Sequence, residues 1–184
     1  MDISLFYLIN KGWQNRFFDF LMPIISNESY FRLPLAVLWC GLMIWGKRKG
    51  RMVALLGLFL LLFSDQMSYL LKLLVKRPRP CHALPGVHLL AGCSRSYSFP
   101  SNHATNVFAA AAFIAYFYRW LLLPALVVSL TVGFSRIYLG VHYPSDVAGG
   151  AMVGFCCAPL FIFLQQAIFT WLDRRWRVAS SDHA

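Results

Sequence analysis

Residues 147–172 contain no Asp, Glu, Lys or Arg, and a helix of that length crosses a bilayer unaided, since a span needs roughly 20 apolar residues. Three further stretches, 33–46, 96–118 and 120–135, are equally free of charge, and 52–75 is broken only by Asp65 and Lys72. The expected fold is all-α: a polytopic membrane helix bundle, one domain over residues 1–184, with about five transmembrane helices near 31–46, 52–75, 100–118, 120–140 and 146–171. The composition agrees, with 59% hydrophobic residues, 13% charged residues and a mean hydropathy of +0.58, outside the range of soluble domains.

Residues 1–30 interleave Phe6, Tyr7, Trp13, Phe17, Phe18 and Phe20 with Asn10, Lys11, Gln14, Asn15, Arg16 and Asp19. The segment is too polar at its centre to span and reads as an interfacial amphipathic segment. With Asp2 after the initiator and no basic region before an apolar one, no cleavable signal peptide is expected. Following the spans back and forth puts Lys47, Arg48, Lys49, Arg51, Arg119, Arg174, Arg175 and Arg177 on one face, which the bias of Lys and Arg makes cytoplasmic. The amino-terminal segment, the 76–100 loop and the 140–145 loop share the other face, which is expected to look outward. The net charge of +10 comes without a basic-aromatic groove. The expected partners are therefore an anionic lipid and the surrounding membrane lipids, and not nucleic acid.

The outward face also carries Lys72, Lys76, Arg77, Arg79, Arg95 and Arg136, against the charge bias, and anion binding explains cations in that place. Three segments supply the chemistry. In the first, residues 72–80, Lys72 ends a span and the prolines stop the helix; alone, it also reads as basic side chains snorkelling at a span end. In the second, Phe99-Pro100-Ser101-Asn102-His103, Ser101 is a natural N-cap, and the amides of Asn102 and His103 are left unpaired by the helix, as at an anion site. A plain capped helix with a water-facing histidine has the same sequence. In the third, residues 135–146, Asp146 lies four residues after His142 across a Pro-Ser turn, where it can orient the ring and leave Nε2 free to attack; a structural His–Asp hydrogen bond is the alternative.

Together the three segments resemble the signature of the type 2 phosphatidic acid phosphatase superfamily, Lys-x6-Arg-Pro, then Pro-Ser-Gly-His, then Ser-Arg-x5-His-x3-Asp. Lys72, Arg79 and Pro80 match the first part, and Ser135, Arg136, His142 and Asp146 the third, with every spacing intact. In the second, Asn102 stands where the family has glycine; its N–H is retained and Asn tolerates unusual φ. The resemblance implies that His142, oriented by Asp146, attacks phosphorus to form a phosphohistidine while His103 is the general acid. Lys72, Arg79, Ser101, Asn102 and Arg136 would hold the phosphate. It implies no metal and no cofactor, and the sequence has no acidic cluster of the kind that holds magnesium: only Asp146 is near, with Glu28 and Asp19 remote.

The implied activity is hydrolysis of a lipid phosphomonoester or diphosphate, with lipid A 1-phosphate, undecaprenyl diphosphate and phosphatidylglycerophosphate as candidates. A phosphotransferase using the same phosphohistidine and a non-enzymatic lipid-phosphate transporter are the alternatives. Asp65, costly within a span, either tunes Lys72 or pairs with Gln66 or another helix. Cys81 and Cys93, both in the outer loop, are expected to form a disulfide. Cys40, Cys156 and Cys157 read as packing residues, and Gly149, Gly150 and Gly154 as points of close helix contact.

Overall fold

The computed structural model describes residues 1–181, with side chains described through Leu172 and at Arg174. Its order is α1 (Asp2–Asn10), α2 (Arg16–Ser26), α3 (Ser29–Trp45), α4 (Arg48–Val75), the short α5 (Pro80–Ala83), α6 (Asn102–Phe117), a 3-10 turn at Arg119–Leu121, α7 (Leu122–Tyr138) and α8 (Pro144–Ser181). Every regular element among the described residues is helical, and α3, α4, α6, α7 and α8 fall on the five apolar stretches. Three segments are long and apolar enough to cross a membrane, Arg48–Ala83, Arg119–Tyr138 and Pro144–Leu172. The apolar α3 has 17 residues and α6 has 16, about 24–26 Å at 1.5 Å per residue, short of the roughly 30 Å hydrocarbon core.

The breaks between helices have local causes. Lys76 sits in the left-handed region (φ 51°) and its N–H closes α4 onto the Lys72 carbonyl, after which Pro78 and Pro80 forbid continuation. Pro144 opens α8, where a missing N–H costs nothing. The Tyr143 N–H just before it donates to Asp146 Oδ2 at 2.8 Å, the acid-side half of a capping box.

The central helix is α6, packed on α4, α7 and α8. Between α4, α6 and α8 lie Val53, Leu56, Leu60, Ala109, Phe113, Cys157, Ala158 and Phe161. Close approach of α8 to α6 depends on Gly150 and Gly154: a Cβ on Gly154 would stand 2.5 Å from the Thr105 carbonyl oxygen, and one on Gly150 2.7 Å from that of Ser101. Small residues let backbones meet where lipid supplies no hydrophobic drive for helix association, so the expectation holds for Gly150 and Gly154, whereas Gly149 makes room for the Phe99 ring of the loop before α6.

Of the three span cysteines only Cys157 packs in the core; Cys40 and Cys156 are exposed on the bundle surface. The reason is geometric. The peripheral α3 has no buried residue and touches α4 on one side only, and one residue along a helix is a 100° turn, which separates Cys156 from Cys157.

The amino-terminal segment forms two helices that do more than lie at an interface. Phe6 and Asn10 of α1 are fully buried. The Asn10 amide donates to the carbonyls of His88 (2.8 Å) and Tyr138 (2.7 Å), and its oxygen accepts the His88 N–H (2.9 Å). On α2, Asp19 accepts the Tyr138 hydroxyl at 2.5 Å and lies 3.0 Å from His88 Nε2. These contacts hold its carboxyl below the usual carboxylate range. Polar residues that a surface helix would turn to water instead tie α1 and α2 to the 84–91 loop and the end of α7. The segment, the 76–100 loop and the 139–145 loop share one end of the bundle. At the other, Lys49 donates to the Phe117 carbonyl (2.8 Å) and Arg48 lies over Phe169; Arg175 and Arg177 fall outside the residues whose side chains are described.

Candidate active site

The end of α4, the 94–101 segment, the first turn of α6, the last turn of α7 and the start of α8 meet at that first end. Lys72 is 5% exposed, and its ammonium donates to the carbonyls of Tyr97 (2.8 Å), Ser98 (3.4 Å) and Pro100 (2.6 Å). An ammonium has three N–H donors, so all are engaged, tying the first expected segment to the second.

Arg79 follows a left-handed turn and a proline, and is likewise buried. Its Nε donates to the Ser96 carbonyl (2.8 Å), one terminal nitrogen to the Ser96 hydroxyl (2.9 Å), and the other to the Val141 carbonyl (3.0 Å). That last nitrogen also stands 3.1 Å from His142 Nε2. A guanidinium only donates, so Nε2 is the acceptor, and a neutral His142 carries its proton on Nδ1.

Nδ1 lies 3.5 Å from Asp146 Oδ2 and 3.5 Å from the Ser98 hydroxyl, which itself donates to the same carboxylate oxygen at 2.5 Å. Such bonds are often long in a free site and tighten on binding. Burial pushes the His142 imidazole down to about 3; the Asp146 hydrogen bond opposes this, and Arg79 and Arg136 add to it. His142 is thus neutral near pH 7, with an unprotonated nitrogen held beside a guanidinium. A neutral ring of this kind can act as a nucleophile once the Arg79 N–H gives way at Nε2.

Ser101 caps α6 as expected, accepting the Ala104 N–H at 3.5 Å, and its own N–H is bound by the Asp146 carbonyl at 3.0 Å. Helix geometry leaves the Asn102 and His103 amides without intrahelical acceptors. The half-buried His103 is in electrostatic range of Arg136, Glu28 and Arg79 and within hydrogen-bonding reach of the Ser26 main chain. Arg136 also reaches α2, donating to the Ser26 hydroxyl, while its Nε is buried without a hydrogen-bond partner. Asn102 donates to Asp65 Oδ1 at 2.8 Å, and its own Oδ1 is the other buried partnerless side-chain atom among the described residues. Asp65 therefore accepts a hydrogen bond across to α6, from the residue that replaces the family glycine, and its charge also acts on Lys72. Cys81 and Cys93 are disulfide-bonded, closing the loop that runs from Arg79 towards Ser96.

The structure brings Arg79, His142 and Asp146 into direct contact, connects Lys72 to the 97–100 turn, and sets Arg136 and His103 against Ser26. Several partners have no clear mark in the sequence. Ser98 precedes the second motif by two residues and Arg77 lies inside the first, yet neither spacing declares what they bond to. Ser26 and Asp2 are far away in the chain and carry no signal at all.

The likeness to known proteins covers this whole scaffold. The 171-residue alignment to the bacitracin transport permease protein BcrC of Bacillus licheniformis is 30% identical, over 89% of this chain and 79% of that one. Undecaprenyl-diphosphatase BcrC of Bacillus subtilis is 28% identical over 94% of this chain and 89% of its own. Among solved structures, the transmembrane PAP2-type phosphatidylglycerolphosphate phosphatase of Bacillus subtilis superposes with a TM-score of 0.73 at 28% identity, over 90% of this chain and 87% of that chain. Since the sequence pattern of the PAP2 superfamily itself matches residues 51–170, where all three segments of the site lie, the chain belongs to the PAP2 superfamily.

Proposed function

We propose that this protein is an integral-membrane lipid phosphatase that works through a phosphohistidine. The observation that carries the reading is the 3.1 Å contact of Arg79 with His142 Nε2, which places an unprotonated ring nitrogen beside a cation suited to a phosphoryl oxygen. In the first step Nε2 attacks phosphorus, the bond to the lipid oxygen breaks, and His103 protonates that oxygen. In the second, water attacks phosphorus while passing a proton to His103, the bond to Nε2 breaks, and phosphate leaves with His103 protonated again. Arg79, Arg136 with its free Nε–H, and the amides of Asn102 and His103 stabilise charge on the three equatorial oxygens. Lys72 and Ser101 hold the 97–101 turn that presents those amides, and Lys72 adds positive charge. The chemistry uses no metal ion.

Relatives named for undecaprenyl diphosphate and for phosphatidylglycerolphosphate support an anionic lipid as substrate. The expected setting is a bacterial inner membrane crossed by α3, α4, α6, α7 and α8, with the site at the periplasmic face.

The test is phosphate release by the purified protein in detergent against undecaprenyl diphosphate, phosphatidylglycerophosphate and lipid A. His142→Ala and His103→Ala each lose about three orders of magnitude or more, and EDTA leaves the parent unchanged. Lipid-phosphate transport without turnover is the competing reading, and full turnover in either histidine variant would decide against hydrolysis by this route. Transfer to an acceptor is separated by product analysis with an added lipid or sugar alcohol.

A further inference from the structure

Asp146 is held by more than the histidine it orients. Arg77 donates from one terminal nitrogen to Asp146 Oδ1 (2.8 Å) and to the Ser145 hydroxyl (2.6 Å). From the other it donates to Asp2 Oδ2 (2.6 Å), and its guanidinium lies 3.8 Å from the centre of the Tyr143 ring. Asp2, on α1, accepts the Ser145 N–H on Oδ1 (3.0 Å) and the Ser145 hydroxyl on Oδ2 (2.5 Å), capping α8 from another part of the chain. Although burial disfavours its charge, the Ser145 and Arg77 hydrogen bonds keep Asp2 below the usual carboxylate range.

We infer that Asp2 and Arg77 are positioning residues for the reaction at His142, acting as an α1–Arg77–Asp146 strap that fixes the orienting carboxylate; the inference rests on the phosphohistidine reading. Both carboxylate oxygens of Asp146 already accept hydrogen bonds from groups other than His142. Asp146 has no exposed side-chain surface, and Arg77 takes its Oδ1 while Ser98 and the Tyr143 N–H take Oδ2. His142 Nδ1 is left with a 3.5 Å approach to the same Oδ2. A carboxylate so neutralised orients the ring without drawing it into the imidazolium form, which keeps Nε2 available. When Nε2 bonds to phosphorus and the ring becomes positive, the carboxylate is already aligned to receive that charge. Neither Arg77 nor Asp2 touches His142 in this structure. Their influence is transmitted through Asp146, and α1 thereby becomes part of the catalytic apparatus.

The charged groups facing His142 are Arg79 from the segment after α4, Arg136 from α7 and Asp146 from α8. Of these, only Asp146 changes its balance when Arg77 is replaced. Removing the cation leaves the carboxylate's charge uncompensated, which favours a protonated His142, so the acid limb of the rate profile moves to higher pH.

The experiment compares Arg77→Gln, Arg77→Lys, Asp2→Asn and the Arg77→Gln/Asp2→Asn double variant with the parent, on whichever lipid the parent hydrolyses. Arg77→Gln lowers kcat about ten- to a hundredfold with KM little changed, and shifts the acid limb up by about one pH unit. Arg77→Lys recovers much of both, and the double variant loses less than the sum of the two single losses, because Asp2 and Arg77 hold the same Ser145–Asp146 turn. A raised KM with an unmoved pH profile would make Arg77 a phosphate ligand and overturn the inference. Additive losses would place Asp2 on a separate route, and a lowered melting temperature with kcat intact would reduce the strap to a structural tie. A parent inactive on every lipid would sink the functional reading instead. The strap is then read by hydrogen exchange at residues 2–10, which speeds up in Arg77→Gln if the link exists and is unchanged if it does not.

Discussion

Ser98→Ala removes an uncharged group that touches both His142 and Asp146. The side chain is fully buried; its hydroxyl donates to Asp146 Oδ2 at 2.5 Å and stands 3.5 Å from His142 Nδ1. Losing the hydroxyl removes one hydrogen bond to an ionised acceptor, worth about 1.5–3 kcal/mol. The cavity is a single oxygen, and Asp146 keeps Arg77 and the Tyr143 N–H, so the fold survives. If Asp146 counterbalances positive charge developing on the His142 ring, as proposed, the hydroxyl that fixes this carboxylate counts mostly in the transition state: kcat drops about 10- to 150-fold, at roughly 1.4 kcal/mol per decade, and KM changes little. The assay is steady-state phosphate release in detergent micelles, with thermal melting of the same samples as a control for folding. Ser94→Ala, an exposed hydroxyl bonded only to Ser96, serves as the mock substitution. Activity of Ser98→Ala within twofold of the parent, or an effect confined to KM, would refute the reasoning.

Three further outcomes follow from the packing. Asp65→Ala leaves the Asn102 amide without its acceptor beside an already partnerless oxygen, and is expected to cost about 1–3 kcal/mol, read as a lower melting temperature; Asp65→Asn retains an acceptor and stays near the parent. Paired replacement of Cys81 and Cys93 by serine opens a loop of 12-residue separation and lowers stability by up to about 3 kcal/mol, while non-reducing mass spectrometry of the parent finds no free thiol at either position; two free thiols there would reject the bridge. Gly154→Val sets a branched side chain against the α6 backbone, where even a Cβ stands 2.5 Å from an oxygen, and is expected to prevent recovery of folded protein, whereas Cys156→Ala on the exposed face is silent in a melting assay.

Much of this protein is determined locally and is therefore readable along the chain. Long charge-free runs can only be helices in hydrocarbon, Pro78, Pro80 and Pro144 mark where they stop and start, and Ser101 caps α6 through its own side chain. The spacing of His142 and Asp146 sets both residues around one proline turn, so their pairing needs little from the rest of the fold. What the tertiary structure alone decided is which distant groups complete each pair. Lys72 has its donors filled by the 97–100 turn, Asp65 meets Asn102 across 37 positions, and Arg136 finds Ser26 across 110. The amino-terminal residues read as a surface helix because their composition is amphipathic, yet Asn10, Asp19 and Asp2 turn towards the bundle, where loop backbone groups, the Tyr138 and His88 side chains and the half-buried Arg77 offer better partners than water. Such partners are chosen by three-dimensional proximity and hydrogen-bond satisfaction, which no periodicity in the sequence encodes.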